Sequence, residues 1–66
     1  MCLSTVVKVG ETPSVLCNNI QSVSVDPADG KLTFIDIMGI RYEALARICK
    51  IDLVENKIFI EESNDQ

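Results

Sequence analysis

The chain has 66 residues, 47% of them hydrophobic, and ten acidic against six basic side chains give a formal charge of −4. That apolar content excludes an intrinsically disordered chain. The dispersed basic residues (Lys8, Lys31, Arg41, Arg47, Lys50, Lys57) argue against nucleic acid as a partner, because phosphate binding wants positive charge concentrated on one face.

Residues 3–9, Leu-Ser-Thr-Val-Val-Lys-Val, are rich in β-branched types and predict a first strand that ends at Gly10. Gly10-Glu11-Thr12-Pro13 is a loop, since proline cannot donate to a ladder. In Ser14–Asp26 the alternation of Gln21-Ser22-Val23-Ser24-Val25 makes the second half a strand with one polar face. Asp26-Pro27-Ala28-Asp29-Gly30 is the clearest turn and should join antiparallel strands. Lys31–Ile37 is the third strand, broken at Met38-Gly39 by a further hairpin. Residues 40–54 read as one strand, with a helix over 42–49 as the alternative because Glu43-Ala44-Leu45-Ala46-Arg47 favours helix. Glu55-Asn56 turns the chain into a last strand, Lys57–Glu61, and the tail 62–66 is polar.

The expected architecture is therefore all-β: a strongly bent sheet or small five-stranded antiparallel barrel, the arrangement that limits open edges in a short chain. It forms one domain over residues 1–66. A core this small covers apolar surface poorly, which favours self-association, with a dimer as the expected state. No apolar run approaches the roughly 20 residues of a membrane span. Met1-Cys2-Leu3-Ser4-Thr5 lacks the basic start of a secretion signal, so a cytoplasmic location is expected. An odd number of cysteines then implies reduced thiols rather than a disulfide framework.

Catalytic chemistry finds no purchase. There is no histidine, and the three glycines are isolated, so neither the commonest general base nor a phosphate-cradling loop is present. The pairs Asp26/Asp29 and Glu61/Glu62 are explained by a turn and a polar tail. Cys2, Cys17 and Cys49 lack both the number and the spacing of a structural zinc site. Cys17 and Cys49 sit among apolar neighbours and are expected in the core. Cys2 differs by its place. If Met1 is trimmed, thiolate and amine sit on adjacent carbons and close a five-membered chelate; with Met1 retained, the Cys2 amide nitrogen can serve once deprotonated. Two such units about a two-fold axis offer two sulfurs and two nitrogens in a plane, a donor set for nickel(II) or copper(II) rather than zinc or magnesium.

Met1-Cys2-Leu3-Ser4-Thr5-Val6-Val7, Asn19-Ile20-Gln21-Ser22-Val23-Ser24-Val25, Lys31-Leu32-Thr33-Phe34-Ile35-Asp36-Ile37-Met38-Gly39 and Ile51-Asp52-Leu53-Val54-Glu55-Asn56-Lys57-Ile58-Phe59-Ile60 together resemble the CooT family of small nickel-binding proteins. The resemblance implies a homodimeric Sm- or SH3-like barrel holding one nickel(II) per dimer through Cys2 of each subunit. It also implies a metallochaperone-like role: an accessory protein, not an enzyme, that supplies nickel to a nickel enzyme such as carbon monoxide dehydrogenase or to its maturation factors. Related sequences have carried the label of RNA-binding proteins, which is the alternative function; the acidic balance of this chain weighs against it.

Overall fold

The computed structural model describes residues 3–62. Six strands form one sheet: β1 (Ser4–Lys8), β2 (Ser14–Val25), β3 (Leu32–Asp36), β4 (Arg41–Ala44), β5 (Ala46–Asp52) and β6 (Lys57–Glu62). Their order is β4-β3-β2-β1-β6-β5. β1 runs parallel to β6, with Val6 opposite Ile58, and the other neighbouring pairs are antiparallel. The five-stranded, wholly antiparallel barrel expected from the sequence is thus corrected to a six-stranded mixed sheet that does not close. The two halves of 40–54 are separate strands, interrupted at Leu45, and no helix forms over 42–49.

The sheet nevertheless curls. β4 and β5 are its opposite edges, which in a flat six-stranded sheet lie roughly 24 Å apart at the usual strand spacing. Ala44 and Ala46 flank the single residue Leu45, so their Cα atoms are at most about 7.6 Å apart. Only a strongly bent sheet satisfies both facts. The ladder is irregular in the long β2, where two steps along β1 from Ser4 to Val6 match three along β2 from Ile20 to Cys17. The β2–β3 ladder slips again between Ile20 and Ser22. Asn19, within this bulged stretch, takes the left-handed backbone conformation (φ 57°), which asparagine tolerates better than most residues.

The concave face holds the core: Val6, Cys17, Ile20, Leu32, Phe34, Ala46, Ile58 and Ile60, with Val23, Tyr42, Ala44 and Ile48 packed against it. Phe34, Leu32, Ile60 and Val6 are fully buried, each worth roughly 1.5–3 kcal/mol in transfer free energy. Along β3 the alternation Leu32, Phe34, Asp36 points inward, so a carboxylate completes an otherwise apolar row. Of the two cysteines assigned to the core from sequence, Cys17 is buried as expected and Cys49 is exposed. The correction has a local cause. Ile48 and Lys50 of β5 face Ile60 and Phe59, adjacent residues of β6, so Cys49 is the extra residue of a bulge and turns away from the core. No helix among the described residues is long and apolar enough to cross a membrane.

Candidate metal-binding end of the sheet

Cys2, the ligand expected from the sequence, lies outside the described residues. The structure does describe the end of the sheet at which β1 begins, and three connections build it. Thr5 donates its amide hydrogen to the Asn56 carbonyl at 2.9 Å, which ties the start of β1 to the β5–β6 turn. On its other side the Thr5 hydroxyl donates to Asn18 Oδ1 at 3.2 Å, in the β2 bulge. The next residue of that bulge, Asn19, accepts the Ile37 amide at 2.9 Å, which brings in the β3–β4 turn.

Both turns rest on an aspartate. Asp52 Oδ1 accepts the amides of Val54 (3.1 Å) and Glu55 (3.0 Å), and Asn56 then takes a left-handed conformation (φ 58°) that leads into β6. The Glu55 amide is the chief cause holding the Asp52 carboxyl below its ordinary range; burial opposes it, and the Val54 amide with Lys50 and Lys57 adds to it. In the β3–β4 turn, Asp36 is only 7% exposed. Its Oδ1 accepts the amides of Met38 (2.9 Å) and Ile40 (3.0 Å), and its Oδ2 accepts the Tyr42 hydroxyl at 3.1 Å. Burial pushes this carboxyl up, but the bonds from Ile40, Met38, Tyr42 and Gly39 together outweigh it and hold the group ionised, below the usual aspartate value. The same contact raises Tyr42, first through its bond to Asp36 and then through burial. Burial first, and the charge of Asp36 second, push the Cys17 thiol up. Cys17 is consequently a neutral, inert thiol, unsuited to metal capture.

These buried or bonded carboxylates carry apolar tips. Met38 is 79% exposed, Leu53 81% and Val54 88%, and Leu3, Ile37, Ile40 and Ile51 are also exposed. Large apolar side chains are thus exposed on both turns joined to the start of β1, while Val15, Leu16, Val25 and Leu45 are exposed elsewhere on the sheet. Among the described residues no group of three or more His, Cys, Asp or Glu side chains converges as a metal cage.

An RNA-binding surface has little to work with. Phe34 is buried, the Tyr42 hydroxyl is engaged by Asp36, and the half-buried Phe59 ring is covered by Lys50, whose Nζ lies 5.7 Å from its centroid. Lys8, Lys31, Arg47 and Lys50 face Glu62, Glu43, Glu61 and Asp52, with the Arg47–Glu61 pair closest at 2.7 Å. Their charge is neutralised locally instead of being offered to phosphates.

Sequence reasoning singled out Cys2 by its chemistry and did not find Asp36, Asn18 or Asn56. Asp36 was hidden inside a strand, although an acid on the inward parity of Leu32-Thr33-Phe34-Ile35-Asp36 was a usable signal.

The family model described as CO dehydrogenase accessory protein CooT matches residues 1–61. The chain is similar in fold to a crystal structure of a provisionally assigned CooT from Carboxydothermus hydrogenoformans, with a TM-score of 0.83 and 19% sequence identity; the match covers 96% of this chain and 100% of that one. No curated protein matches it.

Proposed function

Starting from the premise that this chain belongs to the CooT family of CO dehydrogenase accessory proteins, we propose that it is a nickel(II)-binding accessory protein. It binds one nickel(II) per homodimer through Cys2 of each subunit and supplies the ion for maturation of a nickel enzyme such as carbon monoxide dehydrogenase. The observation that carries the reading is the apolar end of the sheet. The start of β1 is fastened to the β5–β6 turn, whose tip exposes Leu53 and Val54, so a second copy docked there would bring two N-terminal segments together on one axis.

The chemistry is consistent. A thiolate with nitrogen donors from its own backbone suits nickel(II), and two such units complete a four-donor set without any histidine. Sharing the ion between two chain segments leaves it open to ligand exchange, the property required of a donor rather than a storage site. A thiol-dependent site also fits a reducing, cytoplasmic setting.

Native mass spectrometry of a nickel(II) titration, run on the parent and on Cys2→Ser, tests the reading. One nickel per dimer in the parent and none in a folded variant is the expected result. Equal nickel uptake by both would remove Cys2 from the site, and a parent that takes up no nickel would remove the function.

A further inference from the structure

In the β3–β4 turn every backbone amide from Asp36 to Ile40 is hydrogen-bonded. Asp36 donates to the Ile40 carbonyl at 3.0 Å, Ile37 to the Asn19 carbonyl at 2.9 Å and Gly39 to the Asp36 carbonyl at 2.9 Å, while Met38 and Ile40 donate to the buried Asp36 Oδ1. The side chains held in this way do not serve the core: Ile37 is 56% exposed, Met38 79% and Ile40 52%. A buried carboxylate is a costly way to fix a turn, and here it fixes three apolar side chains in water. The β2–β3 turn, fixed by Asp26 and Asp29, carries a polar tip on a similar backbone. We propose that the β3–β4 turn is the docking surface for the client enzyme, and that its receptor is an apolar depression edged by a carboxylate. The inference rests on the accessory-protein reading above and adds to it the surface that meets the client. A turn already ordered in the free chain loses little freedom on binding, so its exposed apolar anchors convert efficiently into affinity.

Charge selects the occupant. Lys8, Lys31, Arg47 and Lys50 are ion-paired, and Lys57 stands opposite Asp52 in the β5–β6 ladder. Arg41 follows Ile40 directly and is exposed; it forms no ion pair among the described residues, and the residue opposite it on β3 is Ile35. Residues 37–41, Ile-Met-Gly-Ile-Arg, contain no acid. Two copies meeting through this turn about a two-fold axis would bring two Arg41 side chains together without a carboxylate from either turn, which counts against a second copy here. A chain of net charge −4 is also repelled by an anionic bilayer. The partner that fits is a protein with an acid beside an apolar pocket, and methionine and arginine are among the residue types enriched where proteins meet.

The probe is nickel-free carbon monoxide dehydrogenase, immobilised for interferometry and titrated with the parent chain, Met38→Ser, Arg41→Glu, Arg41→Lys and, in the polar turn, Ala28→Glu. All four changes fall at exposed positions, and circular dichroism checks that the fold is kept. Met38→Ser and Arg41→Glu should each weaken binding about tenfold or more, as loss of an interface anchor does. Arg41→Lys should lie nearer the parent, and Ala28→Glu should match it. Nickel uptake by native mass spectrometry should be the same in all five proteins. A parent that takes up nickel and does not bind the enzyme would overturn this inference alone; Met38-dependent docking by a parent that takes up no nickel would support it and overturn only the nickel reading. Equal affinity of parent and Met38→Ser would also overturn it. So would dissociation of the homodimer by Met38→Ser, which would give the turn to a second copy, or Met38-dependent co-sedimentation with phosphatidylglycerol vesicles, which would give it to lipid.

Discussion

The β2–β3 turn and the β5–β6 turn are built on the same plan and present opposite surfaces. Each opens on an aspartate that accepts a backbone amide two residues on, Asp26 from Ala28 at 2.8 Å and Asp52 from Val54 at 3.1 Å. Each contains a left-handed residue, Gly30 or Asn56. The first turn is closed on itself: Gly30 donates to the Asp26 carbonyl at 2.7 Å, and Lys31 donates to Asp29 Oδ1 at 3.0 Å. Its tip, Pro27-Ala28-Asp29, carries no large apolar side chain. The second turn lifts Leu53 and Val54 into solvent and spends its Asn56 carbonyl on another strand. Identical backbone devices thus serve a local reversal in one place and a junction in the other. Apolar tips and a long-range bond, not turn type, distinguish the two.

The β3–β4 turn sharpens the contrast, because its aspartate is buried. Asp36→Ala should leave the Met38 and Ile40 amides and the Tyr42 hydroxyl without their acceptor and lower the melting temperature by on the order of 10 °C. Asp26→Ala, losing one exposed bond, should shift it by no more than about 4 °C; thermal melts followed by circular dichroism compare the two. Equal shifts would mean that burial gives Asp36 no special weight.

Next in size is the effect on association. Replacing Leu53 and Val54 together by Ser removes exposed side chains, so the isolated fold should persist with an unchanged circular dichroism spectrum. Self-association measured by sedimentation should weaken about tenfold or more, as expected when apolar anchors are lost. The same double change at Ala28 and Asp29 of the polar turn should leave association untouched.

Acid supplies a third comparison. Asp36 and Asp52 both have carboxyls lowered from the ordinary value of 3.8. A depressed native value means that the stability these groups lend is complete above that ordinary range and is lost as pH falls through the lowered native values. Unfolding followed by fluorescence of an apolar dye should therefore begin only below about pH 4, and Asp36→Asn should flatten the transition. The smallest effect concerns the thiols. Peptide mapping after brief alkylation should find Cys49 modified and Cys17 protected until the chain unfolds, in line with their exposed and buried positions.

Much of this fold can be read from local signals. Asp26-Pro27-Ala28-Asp29-Gly30 specifies its own turn, and the break at Met38-Gly39 and the strand from Lys57 follow from residue types alone. The division at Leu45 could not be seen, because Tyr42, Ala44, Ala46 and Ile48 keep an unbroken alternation of inward side chains. The chain passes from one edge of the sheet to the other without changing face, and periodicity records only the face. The parallel pairing of β1 with β6 is likewise invisible in any window of sequence. Of the candidate site, Cys2 is an expectation from its chemistry that lies outside the described residues, whereas the bonds of Thr5 to Asn18 and Asn56 depend on strands that meet only in three dimensions.

The placement of β1 has a further consequence for how the molecule is made. β1 is the first in chain order of the six described strands, yet it lies inside the sheet, and one of its two neighbours is β6, the sixth. A nascent chain that has not yet released β6 leaves the Thr5 amide without its carbonyl partner. The start of β1 is thus fastened on both sides only in a polypeptide synthesised through its sixth strand, and a prematurely stopped product would lack the parallel ladder beside Thr5.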